Sequence, residues 1–150
     1  MPRPLRICLP EVTYHCYSRC IEVRDILSPD YVKEMAIDAI NQALDIYDFE
    51  LIQLEFVENH FHIVIRTTKE GPTISRIMQY IKARITEKYN RAHGRTGTLW
   101  NEDSNAVLLN KVMTLLTIFS GFCGILHIIL SGRELSVIPE KLNMVEYLLI

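Results

Sequence analysis

Apolar residues change their period along this chain, and each change marks an element. Residues 11–20 (EVTYHCYSRC) are rich in β-branched and aromatic side chains and predict a first strand. Ser28-Pro29-Asp30 predicts a helix start, with Ser28 as the cap and Pro29 in the first helical position. Apolar residues then recur at Val32, Met35, Ala36, Ala39, Ile40, Ala43, Leu44 and Tyr47, while Lys33, Glu34, Asp38 and Asp45 take the wet side. This helix is expected to end near Tyr47-Asp48. A second strand follows over Phe49–Val57, a tight turn at Glu58-Asn59, and a third strand over His60–Thr67. Gly71-Pro72 breaks the chain and Thr73 caps a second helix, whose buried side is Ile74, Ile77, Met78, Ile81, Ile85 and Tyr89. Residues 93–97 (HGRTG) read as a turn, and Leu99-Trp100 opens another extended piece.

The order strand, helix, strand, strand, helix, strand predicts an α+β fold of the ferredoxin-like, split β-α-β kind. Its antiparallel sheet carries both helices on one face and leaves the other free. Side chains alternate along a strand, so Phe61, Ile63 and Ile65 would meet the helices, and His60, His62 and Val64 would share the opposite face. The expected organisation is one domain over residues 1–111, continued by an apolar C-terminal helix and tail over residues 112–150. No repeat or low-complexity linker interrupts it.

Composition narrows the class. With 150 residues, 49% hydrophobic and 23% charged, the chain can build a real core and is not disordered. Pro2, Arg3, Pro4 and Arg6 interrupt any secretory leader, and Cys8, Cys16, Cys20 and Cys123 form no metal-finger spacing, so a cytoplasmic setting is expected. Cys16 and Cys20 share a strand face. Two readings remain for them: buried free thiols, or a zinc site completed by His15 and the histidine pair.

The net charge of −2 hides a strong segregation. Residues 1–65 carry −6, residues 66–95 carry +6 and residues 96–150 carry −2. Local fields rather than the total decide where a polyanion lands. On the second helix Arg84, Lys88 and Arg91 fall in one narrow stripe, which is either a solvated surface or a row of phosphate contacts. That segment directly follows the histidine strand. Two imidazoles on one strand face lie ~6.6 Å apart at Cα, close enough to hold one divalent cation between them.

TYHCYSR (13–19), VENHFHIVIRT (57–67) and EKYNRAHGRTGTLW (87–100) together resemble the HUH transposases of small insertion sequences, above all the REP-associated tyrosine transposases. The resemblance spans roughly residues 12–100. It implies that His60 and His62 bind a divalent metal, Mg²⁺ or Mn²⁺, that polarises the scissile phosphate of single-stranded DNA. It further implies a third ligand and a nucleophilic tyrosine on a later helix, a covalent 5′-phosphotyrosine with a free 3′-hydroxyl, hairpin substrates and a homodimer. Lys82, Arg84, Lys88, Arg91 and Arg95 become candidate DNA contacts. His15 matches a histidine often found in the family's first strand, with either a structural or a functional role.

The resemblance fails where the nucleophile belongs. Leu115-Leu116 align with the family's helix, but the tyrosine slot falls on Gly121, and no tyrosine occurs between Tyr89 and Tyr147. Tyr17, Tyr80 and Tyr89 are the spare phenols. Residues 112–130 lack Asp, Glu, Lys and Arg throughout. They read as an unusually apolar version of the family helix, a dimer-buried helix, frameshifted sequence in a truncated element, or, least in keeping with the domain before it, a membrane anchor. The sequence thus points to a transposase-type domain that binds hairpin single strands and cleaves poorly or not at all. A non-catalytic or domesticated DNA-binding protein of the same fold is the alternative.

Overall fold

The computed structural model describes residues 8–22 and 24–109. The expected apolar C-terminal helix, the whole of residues 112–150 and Gly121 lie outside the described residues. Within them the order is β1 (Thr13–Cys20), α1 (Asp30–Ile46), β2 (Phe49–Val57), β3 (His60–Thr67), α2 (Ile74–His93) and β4 (Trp100–Leu109). The strands form one antiparallel sheet in the order β2-β3-β1-β4, as the split β-α-β reading requires.

Both helices pack on the same side. Val32, Ala36, Ala39, Ile40, Ala43 and Leu44 of α1, and Ile74, Ile77, Met78, Ile81 and Ile85 of α2, are buried with Tyr14, Cys16, Phe61, Ile63 and Ile65 of the sheet. The alternation of β3 puts Phe61, Ile63 and Ile65 wholly inside, each at 0% exposure. Tyr89, expected on the buried side of α2, is only half-buried, because it lies in the last turn beside the surface residue His93. Trp100 joins the layers: its ring meets Phe61 edge-on at 5.3 Å and its Nε1 donates to the carbonyl of Lys82 at 3.0 Å.

Several boundaries move slightly. The cap of α1 is Pro29 rather than Ser28, since the Pro29 backbone is extended (ψ 136°) and its carbonyl accepts from Val32 and Lys33. Thr73 caps α2 as expected, accepting from the Arg76 amide at 3.4 Å. Gly94 ends that helix in the left-handed region at φ 60°, a conformation that favours glycine. At Gly71 an added Cβ would lie 2.1 Å from the Asp48 carbonyl oxygen, so only glycine lets this connection pass so close to the start of β2.

One irregularity reaches the functional face. Leu51 pairs with Ile65, yet Gln53 pairs with Val64, so Ile52 is an extra residue and β2 carries a bulge. The bulge switches parity. Phe49 and Leu51 point with the core before it, Leu54 and Phe56 after it, and Glu55 arrives directly opposite His62.

Candidate metal and nucleic-acid site

The site begins with the turn that launches β3. Glu58-Asn59 connects two strands, with Glu58 at φ 39°, and the turn is fastened to the core by backbone bonds. Cys20 N–H donates to the Asn59 carbonyl and Leu27 N–H to the Glu58 carbonyl, both at 2.8 Å. Asn59 is buried, and its side-chain oxygen lies 3.3 Å from His60 Nδ1. The first histidine is therefore held from the moment the strand starts.

Strand alternation then places His62 beside it. The His60 and His62 rings lie on the face away from the helices, with centroids 5.0 Å apart at 77°. Both are half-buried. The face is less open than the sequence suggests, because Val64 (1% exposed) is a short side chain between its cross-strand partners His15 and Gln53 and is buried there.

A third histidine joins the pair. Tyr17 of β1 stands opposite His62, so His15 is its diagonal neighbour. The His15 and His62 rings are inclined by 26° with centroids 5.1 Å apart, and His15 Nε2 lies 3.0 Å from His62 Nδ1. The Tyr17 ring lies 5.8 Å from that of His62. Arg19, directly opposite His60 in the register, is exposed and meets no carboxylate among the described residues.

The electrostatics favour neutral imidazoles. Burial is the main influence lowering the affinity of His62 for a proton, and the neighbouring His15 and His60 lower it further. Burial likewise lowers His15, with the Glu55 carboxylate pulling the other way. Neutral rings keep a lone pair for a metal. They also give the metal-free protein a pH response. Both histidines take up protons near pH ~6.5 when unfolded and resist them when folded, so stability is full above that value and falls as the pH drops through the lower folded values. Urea midpoints measured between about pH 7.5 and 5 are expected to decline, and His15→Phe should flatten the decline.

A divalent cation suits these residues. Asn59 and His15 engage Nδ1 of His60 and His62 respectively, so the Nε2 atoms are the ones available to a metal. Gln53, diagonal to His62 on the same face, has a side-chain oxygen buried without a hydrogen-bond partner among the described residues. No group of three His, Cys, Asp or Glu assembles among the described residues, so the pair offers two ligands rather than a closed cage.

The zinc alternative fails on geometry. Cys16 and Cys20 are buried on the helix side of β1, opposite to His15, and burial, reinforced by Glu22 and opposed by Arg95, pushes the Cys20 thiol up to about 12. Both are buried thiols outside any disulfide.

The candidate DNA contacts of α2 are not gathered at the histidines. The sheet stands between that helix and the pair. Lys82 reaches the Asn101 carbonyl of β4 at 3.4 Å, whereas Lys88 bonds Asp38 of α1, so the two lean to opposite flanks of the helix. Arg84 and Arg91 both pair with Glu87, and Arg95 pairs with Glu22 at 2.6 Å. The pairs of Arg84 and Arg91 with Glu87 are exposed and contribute little to stability.

The family model described as "Transposase IS200 like" matches residues 8–118. The chain belongs to this transposase family. Its fold is similar to that of a REP-associated tyrosine transposase bound to a REP hairpin (TM-score 0.59, 16% identity, 81% of this chain and 76% of that one). It is also similar to a putative transposase from Deinococcus radiodurans R1 (TM-score 0.54, 18% identity, 81% and 95%). No curated protein matches it in sequence. Membership assigns the chain to DNA transposition, as the sequence resemblance implied. No helix among the described residues is long and apolar enough to cross a membrane, and residues 112–130 lie outside them.

Sequence reasoning found the pair but missed its surroundings. The partnership of His15 with His62 and the position of Arg19 beside the pair depend on register, and the hold of Asn59 on His60 depends on how the turn before β3 is folded. A trace of the bulge was visible: the adjacent apolar residues Leu51 and Ile52 break the alternation of β2.

Proposed function

We propose that this protein binds single-stranded hairpin DNA on the face carrying His60 and His62, as a homodimer and with one divalent cation, Mg²⁺ or Mn²⁺. The reading rests on one observation: two imidazoles 5.0 Å apart on the sheet face that the helices leave uncovered. When bound, the cation would act as a Lewis acid that polarises a phosphate oxygen. His60 and His62 hold it, and Asn59 and His15 fix their rings. Arg19 offsets phosphate charge beside His60, and Lys82, Arg84, Lys88, Arg91 and Arg95 contact the strand as it runs past α2. The hairpin carried by the similar REP-associated transposase supports the choice of substrate.

Cleavage is expected to be weak or absent, because the position at which relatives carry the attacking tyrosine is Gly121. The same fact favours the second reading, a DNA-binding protein of this fold without catalysis. Fluorescence anisotropy with a labelled hairpin tests the binding. If about four phosphates are contacted, raising salt from about 50 to about 200 mM should weaken affinity on the order of 50-fold. An unpaired oligonucleotide bound as well as the hairpin, or no dependence on salt, would overturn the proposal. Loss of Mn²⁺-dependent binding in His60→Ala favours the metal reading, and indifference to that change favours the metal-free binder.

A further inference from the structure

We propose that His15 is a positioning residue for the metal site: it accepts the Nδ1 proton of His62 and so fixes the ring with its Nε2 lone pair toward the cation. The inference rests on the metal reading above. His15 Nε2 and His62 Nδ1 are 3.0 Å apart, in rings inclined by 26° with centroids 5.1 Å apart, a near-coplanar arrangement that suits an in-plane N–H···N bond. One hydrogen bond between two neutral imidazoles takes one proton, so one nitrogen donates and the other accepts. A histidine that binds metal through Nε2 must carry its proton on Nδ1. His62 is then the donor, and His15 accepts through Nε2 with its own proton on Nδ1.

The other ligand is arranged in the same way. The Asn59 side-chain oxygen can only accept, so the contact at 3.3 Å places the His60 proton on Nδ1 as well. Both rings thus have one nitrogen tied to an acceptor, one from the turn before β3 and one from the neighbouring strand. Outer partners of this kind orient metal ligands and typically contribute about 10–100-fold to affinity. A histidine that merely fills space would contribute none of this. The nitrogen-to-nitrogen contact explains why position 15 takes an imidazole.

The test uses the full chain and two substitutions. His15→Phe keeps the ring and removes the acceptor, while His15→Gln restores an oxygen acceptor near the place of Nε2. Mn²⁺ titration followed by electron paramagnetic resonance should show binding about 10–100-fold weaker in His15→Phe and largely recovered in His15→Gln. Equal affinity in His15→Phe and the unmodified protein would overturn the positioning role and leave the metal reading standing. Failure of the unmodified protein to bind Mn²⁺ at all would remove both. A metal-free readout needs no variant to fold: long-range ¹⁵N correlation spectra should show the His62 proton on Nδ1. A proton found on His62 Nε2 would overturn the proposal.

Discussion

His62→Ala is expected to lower Mn²⁺ affinity by more than about 100-fold, beyond the range usual for loss of an outer partner, while the thermal midpoint barely moves. His60→Ala should do the same. On the proposed reading each side chain would supply one of two nitrogen ligands, so removing either would leave only one of the two proposed ligands beside His15. Neither ring is part of the apolar core, which lies on the other face of β3. Phe61, between them, should behave in the opposite way. It is fully buried against Phe56 and Trp100, so Phe61→Ala is expected to destabilise by about 3–5 kcal/mol. Calorimetric titration with Mn²⁺ beside urea denaturation measures both effects on the same preparations. Equal metal affinity in the unmodified protein and both alanine variants would show that the pair is not a metal site.

Incubation with a hairpin oligonucleotide and Mn²⁺ is expected to leave no covalent protein–DNA adduct on a denaturing gel, while the same mixture shows a complex on a native gel. Forming the adduct requires a phenol oxygen to bond phosphorus as the bond to the 3′ oxygen breaks, leaving a 5′-phosphotyrosine and a free 3′-hydroxyl. Glycine at position 121 supplies no such oxygen. A bound cation would polarise the phosphate without providing the attacking group. An adduct would refute the expected impairment, and attention would then pass to Tyr17, whose ring lies 5.8 Å from that of His62. Tyr17→Phe would abolish an adduct formed through that phenol. Survival of the adduct in Tyr17→Phe would place the nucleophile elsewhere.

Legibility differed between local and non-local features. The capping threonine of α2, its five buried apolar positions and the limits of β2 and β3 follow from periodicity, because each depends on neighbours a few residues away. The charge stripe was legible as a pattern but not as a site. Asp38, which pairs with Lys88 of the stripe, and the sheet that stands between the stripe and the histidines come from distant parts of the chain. The zinc reading failed for a simple reason: residues 15 and 16 of one strand point to opposite faces, whatever their chemistry.

By itself the sequence determined which residues share a face, since the period of a strand or helix is a property of the backbone. That was enough to put His60 and His62 side by side and Phe61 beneath them. Only the tertiary structure decided what stands next to the pair. The pairing of β1 with β3 carries His15 across 47 residues to the Nδ1 of His62, and the bulge at Ile52 turns Glu55 to the same side. Register is set by how the whole sheet closes over its core, and a one-residue slip would have sent every one of these groups to the other face.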